Sequence, residues 1–74
     1  MTILDLKRGE SAIVLGLGVV PAVKERLRAL NVYPRASVTL LKASLFRRTF
    51  LLDAGGVRLA LRRAVAAEIR VVKK

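Results

Sequence analysis

The sequence predicts a mainly β fold: a small, closed, five-stranded barrel with one α-helix between the first and second strands. Five short apolar segments are separated by turn residues, and only one stretch has clear helical periodicity. The 74 residues are enough for one domain with a single core. Closing such short strands into a barrel hides edges that would otherwise pair with other molecules. We therefore expect one domain over residues 1–74.

The first predicted strand and the predicted helix follow one another near the N-terminus. Ser11–Leu17 is apolar, contains β-branched residues and is bounded by glycines, as in a largely buried strand. From Pro21, which suits a first helical position because its missing N–H has no partner there, the spacing becomes helical. Asn31 tolerates the left-handed conformation that commonly ends a helix. The apolar helical stripe consists of Val23, Leu27 and Leu30.

The other strands alternate more visibly between apolar and polar residues. They are predicted at Ala36–Ala43, Phe50–Asp53, Val57–Leu61 and Ile69–Val71. Gly55 and Gly56 supply the positive φ of a tight hairpin turn, and residues 62–67 are expected to form a compact turn, too short for an independent helix. Phe50 is expected to face the core. The predicted core surrounds Ile13, Leu27, Val38, Leu59 and Ile69.

The composition favours binding over catalysis. Fifteen Lys and Arg against five Asp and Glu give a formal net charge of +10, which favours an acidic partner: nucleic acid, anionic lipid or an acidic protein surface. The chain has neither Cys nor His and so lacks the commonest soft-metal ligands and the commonest general base. Asp53 and Glu68 alone make a poor ferrous site. We expect no enzymatic activity, cofactor or metal site.

The distribution of charge also bears on location. The longest uncharged run, Ser11–Val23, is too short for the ~20 apolar residues of a membrane-spanning helix. The first nine residues place their charges after their apolar residues, the reverse of a secretion signal. We therefore expect a cytoplasmic protein without a membrane span.

Six short motifs follow one another along nearly the whole chain. They are Leu4-x-Leu6-x-x-Gly9, Ala12-x-Val14, Arg26-Leu27-x-x-Leu30-Asn31-Val32-x-Pro34, Val38-x-Leu40, Leu59-x-Leu61-Arg62 and Ala66-x-x-Ile69-x-Val71. In this order and spacing the sequence resembles the FeoA family, small SH3-like barrels that accompany the ferrous-iron transporter FeoB. The resemblance implies a five-stranded SH3-like barrel, no enzymatic activity, and a cytoplasmic role in iron uptake through contact with this GTP-binding transporter.

The chain departs from the family pattern at three places. Asn31 and Arg35 stand where the family usually has Gly, and Ser44–Thr49 replaces a rigid acidic turn by a basic one with an aromatic residue. An apolar anchor surrounded by arginines is typical of binding hot spots. We therefore predict partner-binding residues at Leu45, Phe46, Arg47, Arg48, Arg62 and Arg63. The alternative is that Phe46 packs beneath the hairpin while the arginines are solvated or cap the nearby turn.

Two further expectations concern other contacts. Arg26 is expected to lay its stem over the barrel while its guanidinium binds backbone carbonyls. A homodimer is possible if Leu41 or Leu51 lies exposed beside an unpaired edge. The alternative function is a small basic nucleic-acid-binding module. This alternative is weakened because the chain has few aromatic side chains on which nucleic-acid bases could stack. The aromatic residues are Tyr33, Phe46 and Phe50.

Overall fold

Five short segments rich in apolar residues form β-strands. A computed structural model describes residues 1–74. The strands are β1 (Ser11–Leu17), β2 (Ser37–Ala43), β3 (Thr49–Ala54), β4 (Val57–Arg62) and β5 (Ile69–Lys73). Helix α1 (Pro21–Ala29) lies between β1 and β2 in the chain, a second helix, α2 (Arg63–Ala66), joins β4 to β5, and Ile3–Asp5 and Leu45–Arg47 form 3₁₀ turns. The fold is mainly β, with two α-helices where one was predicted.

All five strands belong to one antiparallel sheet in the order β4-β3-β2-β1-β5. The prediction of a closed barrel is wrong, because the first and last strands of this order, β4 and β5, do not pair. The N-terminus covers the outer edge of β5: the Val71 N–H donates to the Met1 carbonyl at 2.9 Å, and Thr2 bridges to Arg70. The outer edge of β4 has no strand partner. The sheet therefore ends in one covered edge and one open edge.

Two β-bulges interrupt the regular pairing. Leu15 is an extra residue in β1 opposite β5, and Leu41 is an extra residue in β2 opposite β3. Bulges bend a strand and increase its local twist, which helps a short sheet curve around a core. Leu15 lies on the outer face of β1 and is exposed, whereas Leu41 is half-buried.

The core lies on the inner face of the curved sheet. Phe50, Ile3 and Leu6 are its largest fully buried side chains. Burial of Phe50 confirms the prediction, and four of the five predicted core residues are buried: Leu27, Val38, Leu59 and Ile69. The prediction for Ile13 is wrong. It is half-buried because Ala12 and Val14, its neighbours in β1, occupy the inward-facing positions.

Helix α1 ends in a hydrogen-bonded left-handed turn. Asn31 has φ of 69°, as expected for the residue that ends this helix. The Val32 N–H donates to the Leu27 carbonyl at 2.8 Å and the Asn31 N–H to the Arg28 carbonyl at 3.0 Å, the two bonds of a Schellman motif. The Asn31 side-chain amide also donates to the Ala54 carbonyl at 3.1 Å. The end of α1 is thereby fixed to the end of β3.

Candidate docking surface

The loop between β2 and β3 exposes two apolar side chains. Leu45 is 81% exposed and Phe46 is 78% exposed, so the alternative in which Phe46 packs beneath the hairpin is wrong. We call this pair the apolar tip. Phe46 and Arg47 both have left-handed φ values, 65° and 52°. The loop closes on Ser44, whose N–H donates to the Thr49 carbonyl at 2.8 Å and whose Oγ accepts from the Thr49 N–H at 2.9 Å.

Arg47 fixes this loop to the N-terminal turn. Its Nη2 donates to the Leu4 carbonyl at 2.8 Å and to the Leu6 carbonyl at 3.4 Å. Its guanidinium carbon also lies 5.1 Å from the centre of the Phe50 ring, within the range of a cation–π contact. Arg47 therefore supports the loop from within and keeps the apolar tip outside.

The other predicted arginines lie around the same loop. The Arg63 N–H donates to the Arg48 carbonyl at 2.9 Å, and Arg63 Nη1 donates to the Arg47 carbonyl at 3.3 Å. Arg62 is paired with Thr49 in the ladder between β3 and β4. All six predicted binding residues are thus brought to one end of the sheet. We call these six residues the docking patch: Leu45, Phe46, Arg47, Arg48, Arg62 and Arg63.

The docking patch is strongly basic because its segments contain no carboxylate. Residues 42–52 and 57–67 include no Asp or Glu. Asp5 lies in the turn that Arg47 contacts, but its carboxylate accepts the Thr2 N–H at 2.8 Å. Arg48 and Arg62 are exposed, and their guanidinium groups make no hydrogen bond within the chain. These two cations are therefore available to an external anion.

An apolar groove adjoins the docking patch along the open edge of β4. It has a volume of about 230 Å³. Its apolar lining comes from Val23 and Leu27 of α1, Leu30 just after α1, Leu59, Ala60 and Leu61 of β4, and Val65 of α2. Arg26 and Arg62 complete the lining, so the groove and the docking patch share Arg62. The guanidinium of Arg26 does not make the expected bonds to backbone carbonyls; Arg47 makes such bonds instead.

The remaining polar features do not form a catalytic constellation. The Asp53 carboxylate accepts the Gly56 N–H at 2.9 Å and so stabilises the hairpin turn between β3 and β4. That turn borders a polar cavity of about 450 Å³ that also includes Tyr33. No group of three acidic side chains lies close enough together to hold a metal ion. Neither helix has the length and apolar character needed to cross a membrane.

The aromatic residues are poorly placed for stacking successive bases. Phe50 is fully buried. Phe46 precedes the start of β3, whereas Tyr33 lines the cavity at the turn that follows the end of β3. The two exposed aromatic rings therefore lie at opposite ends of this strand. Nothing in the structure favours the nucleic-acid alternative.

Sequence reasoning missed the N-terminal support of the docking patch. Thr2 and Asp5 form a capping box around the 3₁₀ turn, and this turn presents the Leu4 and Leu6 carbonyls to Arg47. A Thr with an acidic residue three positions later is a recognisable start signal for such a turn.

The structure does not provide the exposed leucines on which a homodimer was expected to depend. Leu41 and Leu51 are half-buried and belong to internal strands of the sheet.

Comparison with known families decides the classification. The model of the FeoA domain matches residues 1–73. The chain belongs to the FeoA family. This result confirms the resemblance found in the sequence motifs, and it links the chain to a family of small accessory proteins associated with iron uptake.

Solved FeoA structures have the same fold. A FeoA protein from Chlorobium tepidum is 29% identical, with a TM-score of 0.93 over 99% of this chain and 70% of that one. An iron uptake regulatory protein (FeoA) is 20% identical, with a TM-score of 0.85 over 100% and 96%. Iron(II) transport protein A from Clostridium thermocellum is 20% identical, with a TM-score of 0.90 over 99% and 45%. A comparison with curated proteins finds no match.

Proposed function

We propose that this FeoA-family protein is a cytoplasmic accessory protein of ferrous-iron uptake that binds the cytosolic part of a FeoB-type GTP-binding transporter. The observation that carries the proposal is the FeoA domain match over residues 1–73. The similar structures described as an iron uptake regulatory protein and as iron(II) transport protein A agree with a role in this process. The protein acts by surface recognition and performs no chemistry of its own.

The docking patch is the surface proposed for contact with the transporter assembly at the membrane. Its free cations Arg48 and Arg62 complement acidic groups of that assembly. The groove beside Arg62 can receive apolar side chains of a transporter segment. Arg47 and Arg63 contribute by holding the loop in place. This division of roles makes Arg48 and Arg62 the residues to test.

A pull-down from host membranes tests the proposal. The tagged protein is expected to co-purify a GTP-binding iron transporter, identified by mass spectrometry. The double variant R48Q/R62Q should lose most of this co-purification. The control K24Q/R28Q removes the same number of charges from exposed positions of α1 that do not line the groove, and it should co-purify the transporter as the unchanged protein does.

Two results would contradict the proposal. One is the absence of any transporter from the material captured by the unchanged protein. The other is an unchanged rate of ferrous uptake in a host that lacks this protein. Circular dichroism of each variant shows whether the substitutions leave the fold intact, so that a loss of co-purification reports on the surface alone.

A further inference from the structure

The apolar tip is the most exposed apolar surface of the protein. Leu45 and Phe46 are 81% and 78% exposed, against 63% for Val20, the next most exposed large apolar residue. They are adjacent in sequence and line neither of the two cavities. The tip is therefore a convex protrusion. Two adjacent apolar side chains held in water are a feature of surfaces that another apolar phase covers.

The loop beneath the tip is held in one conformation. Arg47 binds the Leu4 carbonyl, Arg63 binds the Arg47 carbonyl, and Ser44 pairs with Thr49 on both sides. The left-handed φ values at Phe46 and Arg47 are unfavourable for residues with a Cβ and persist only where the surroundings impose them. The tip is thus ordered before it meets a partner, and its insertion does not require the loop to rearrange.

Cations surround the tip at its base. Lys42 is the penultimate residue of β2, Arg48 follows the tip, and Arg62 and Arg63 lie at the junction of β4 and α2 against the same loop. No carboxylate interrupts these segments. An apolar apex above a ring of Lys and Arg is the arrangement that binds the boundary between acyl chains and anionic headgroups.

We propose that the apolar tip inserts into the headgroup region of an anionic membrane while Lys42, Arg48 and Arg62 bind lipid phosphates. A bilayer accepts a convex wedge without a preformed pocket, and its mobile headgroups can match several separated cations at once. The inference rests on the proposed function for the protein's place at a membrane, and it names lipid as the component that the tip contacts there. Its main test uses vesicles without the transporter, so its failure can be distinguished from failure of the proposed function.

A tryptophan placed at the tip reports insertion directly. The chain contains no Trp, so Phe46→Trp introduces a single tryptophan at an exposed position. With vesicles of mixed phosphatidylglycerol and phosphatidylcholine, its emission should shift to the blue, and brominated acyl chains should quench it. With pure phosphatidylcholine neither change should occur. The matched control is Tyr33→Trp, which is 42% exposed and lies at the other end of β3, and its emission should not change.

Vesicle sedimentation separates the apolar and the charged contributions. The double variant L45S/F46S should bind anionic vesicles at least about tenfold more weakly, as expected when two large apolar side chains no longer leave water. Leu15→Ser removes an exposed Leu toward the opposite end of the sheet and should leave binding unchanged. R48Q/R62Q should weaken binding by about fivefold for each cation removed, and K24Q/R28Q should weaken it much less.

The outcomes divide clearly. Absence of binding to anionic vesicles overturns the inference, as does binding without a blue shift at position 46 or with an equal shift at position 33. A shift produced by the transporter's cytosolic portion but not by vesicles makes the tip a protein anchor, which also overturns the inference while the proposed function stands. Insertion into vesicles together with a failed transporter pull-down supports the inference and rejects the proposed function.

Discussion

Removal of the Arg47 guanidinium should destabilise the fold although the side chain is exposed. Arg47→Ala eliminates the 2.8 Å bond to the Leu4 carbonyl, the longer 3.4 Å bond to the Leu6 carbonyl and the cation–π contact with Phe50. A hydrogen bond from a charged group contributes about 1.5–3 kcal/mol, and an exposed cation–π contact about 0.5–1 kcal/mol. Solvent access and the length of the second bond reduce the sum to about 2 kcal/mol.

This loss is large for so small a domain. A single-core protein of this size has roughly 3–5 kcal/mol of stability, and each kcal/mol corresponds to about 4–8 °C in Tm. Arg47→Ala should therefore lower Tm by roughly 8–16 °C. The left-handed φ at position 47 does not change this estimate, because Ala and Arg are both strained there.

Thermal and urea unfolding followed by far-UV circular dichroism measures the effect. Arg48→Ala is the control, since this neighbouring arginine makes no side-chain hydrogen bond within the chain and its loss should change stability by less than about 0.5 kcal/mol. Arg47→Lys should fall between the two, because it keeps the charge but not the planar fork. Equal Tm values for Arg47→Ala and Arg48→Ala would refute the anchoring role.

Three other predictions concern the loops and the N-terminus. Asn31→Ala should lower the unfolding free energy by about 2 kcal/mol, because it loses the bond to the Ala54 carbonyl and places a strained residue at the left-handed φ. Asn31→Gly loses only the bond and should lower it by about 1 kcal/mol. Equal urea midpoints for the two variants would contradict this prediction. Arg35→Gly should raise Tm, because Arg35 has φ of 77°, and Arg35→Val should lower it. The pKa of Glu10 is lowered first by the hydrogen bond from the Lys7 N–H at 2.6 Å and then by Lys73. Glu10→Gln should therefore reduce the unfolding free energy above the ordinary glutamate pKa of about 4.3, and this difference should vanish as pH falls through the lowered pKa. A difference in stability that persists in acid would contradict the prediction.

The local parts of the fold could be predicted from the sequence. Alternation in Val57–Leu61 predicts the two faces of β4, with Leu59 and Leu61 buried and Arg58 and Ala60 exposed. Asn31 was identified as the left-handed end of α1 because few other residues tolerate that conformation. In both cases the signal lies within a few residues of the feature that it specifies.

The parts that depend on distant contacts could not be predicted. Ile13 and its neighbours Ala12 and Val14 are all apolar, so alternation alone could not say which face of β1 turns inward. Met1 and Thr2 pair with the outer edge of β5, and no local pattern in the sequence indicates this pairing. The six predicted docking residues lie at one end of the sheet, and their role in binding stays a prediction. The anchoring contact of Arg47 joins positions 43 residues apart, so no local pattern could reveal it.

The unpaired edge of β4 carries Arg58 and Arg62 as exposed side chains. If two copies of the protein joined through this edge as an antiparallel pair, guanidinium groups would approach guanidinium groups, an unfavourable arrangement in dilute buffer. Dissolved ions screen that repulsion. Increasing ionic strength should therefore favour self-association of the protein while it weakens binding to anionic vesicles. A single salt titration thus distinguishes dimer formation from lipid binding.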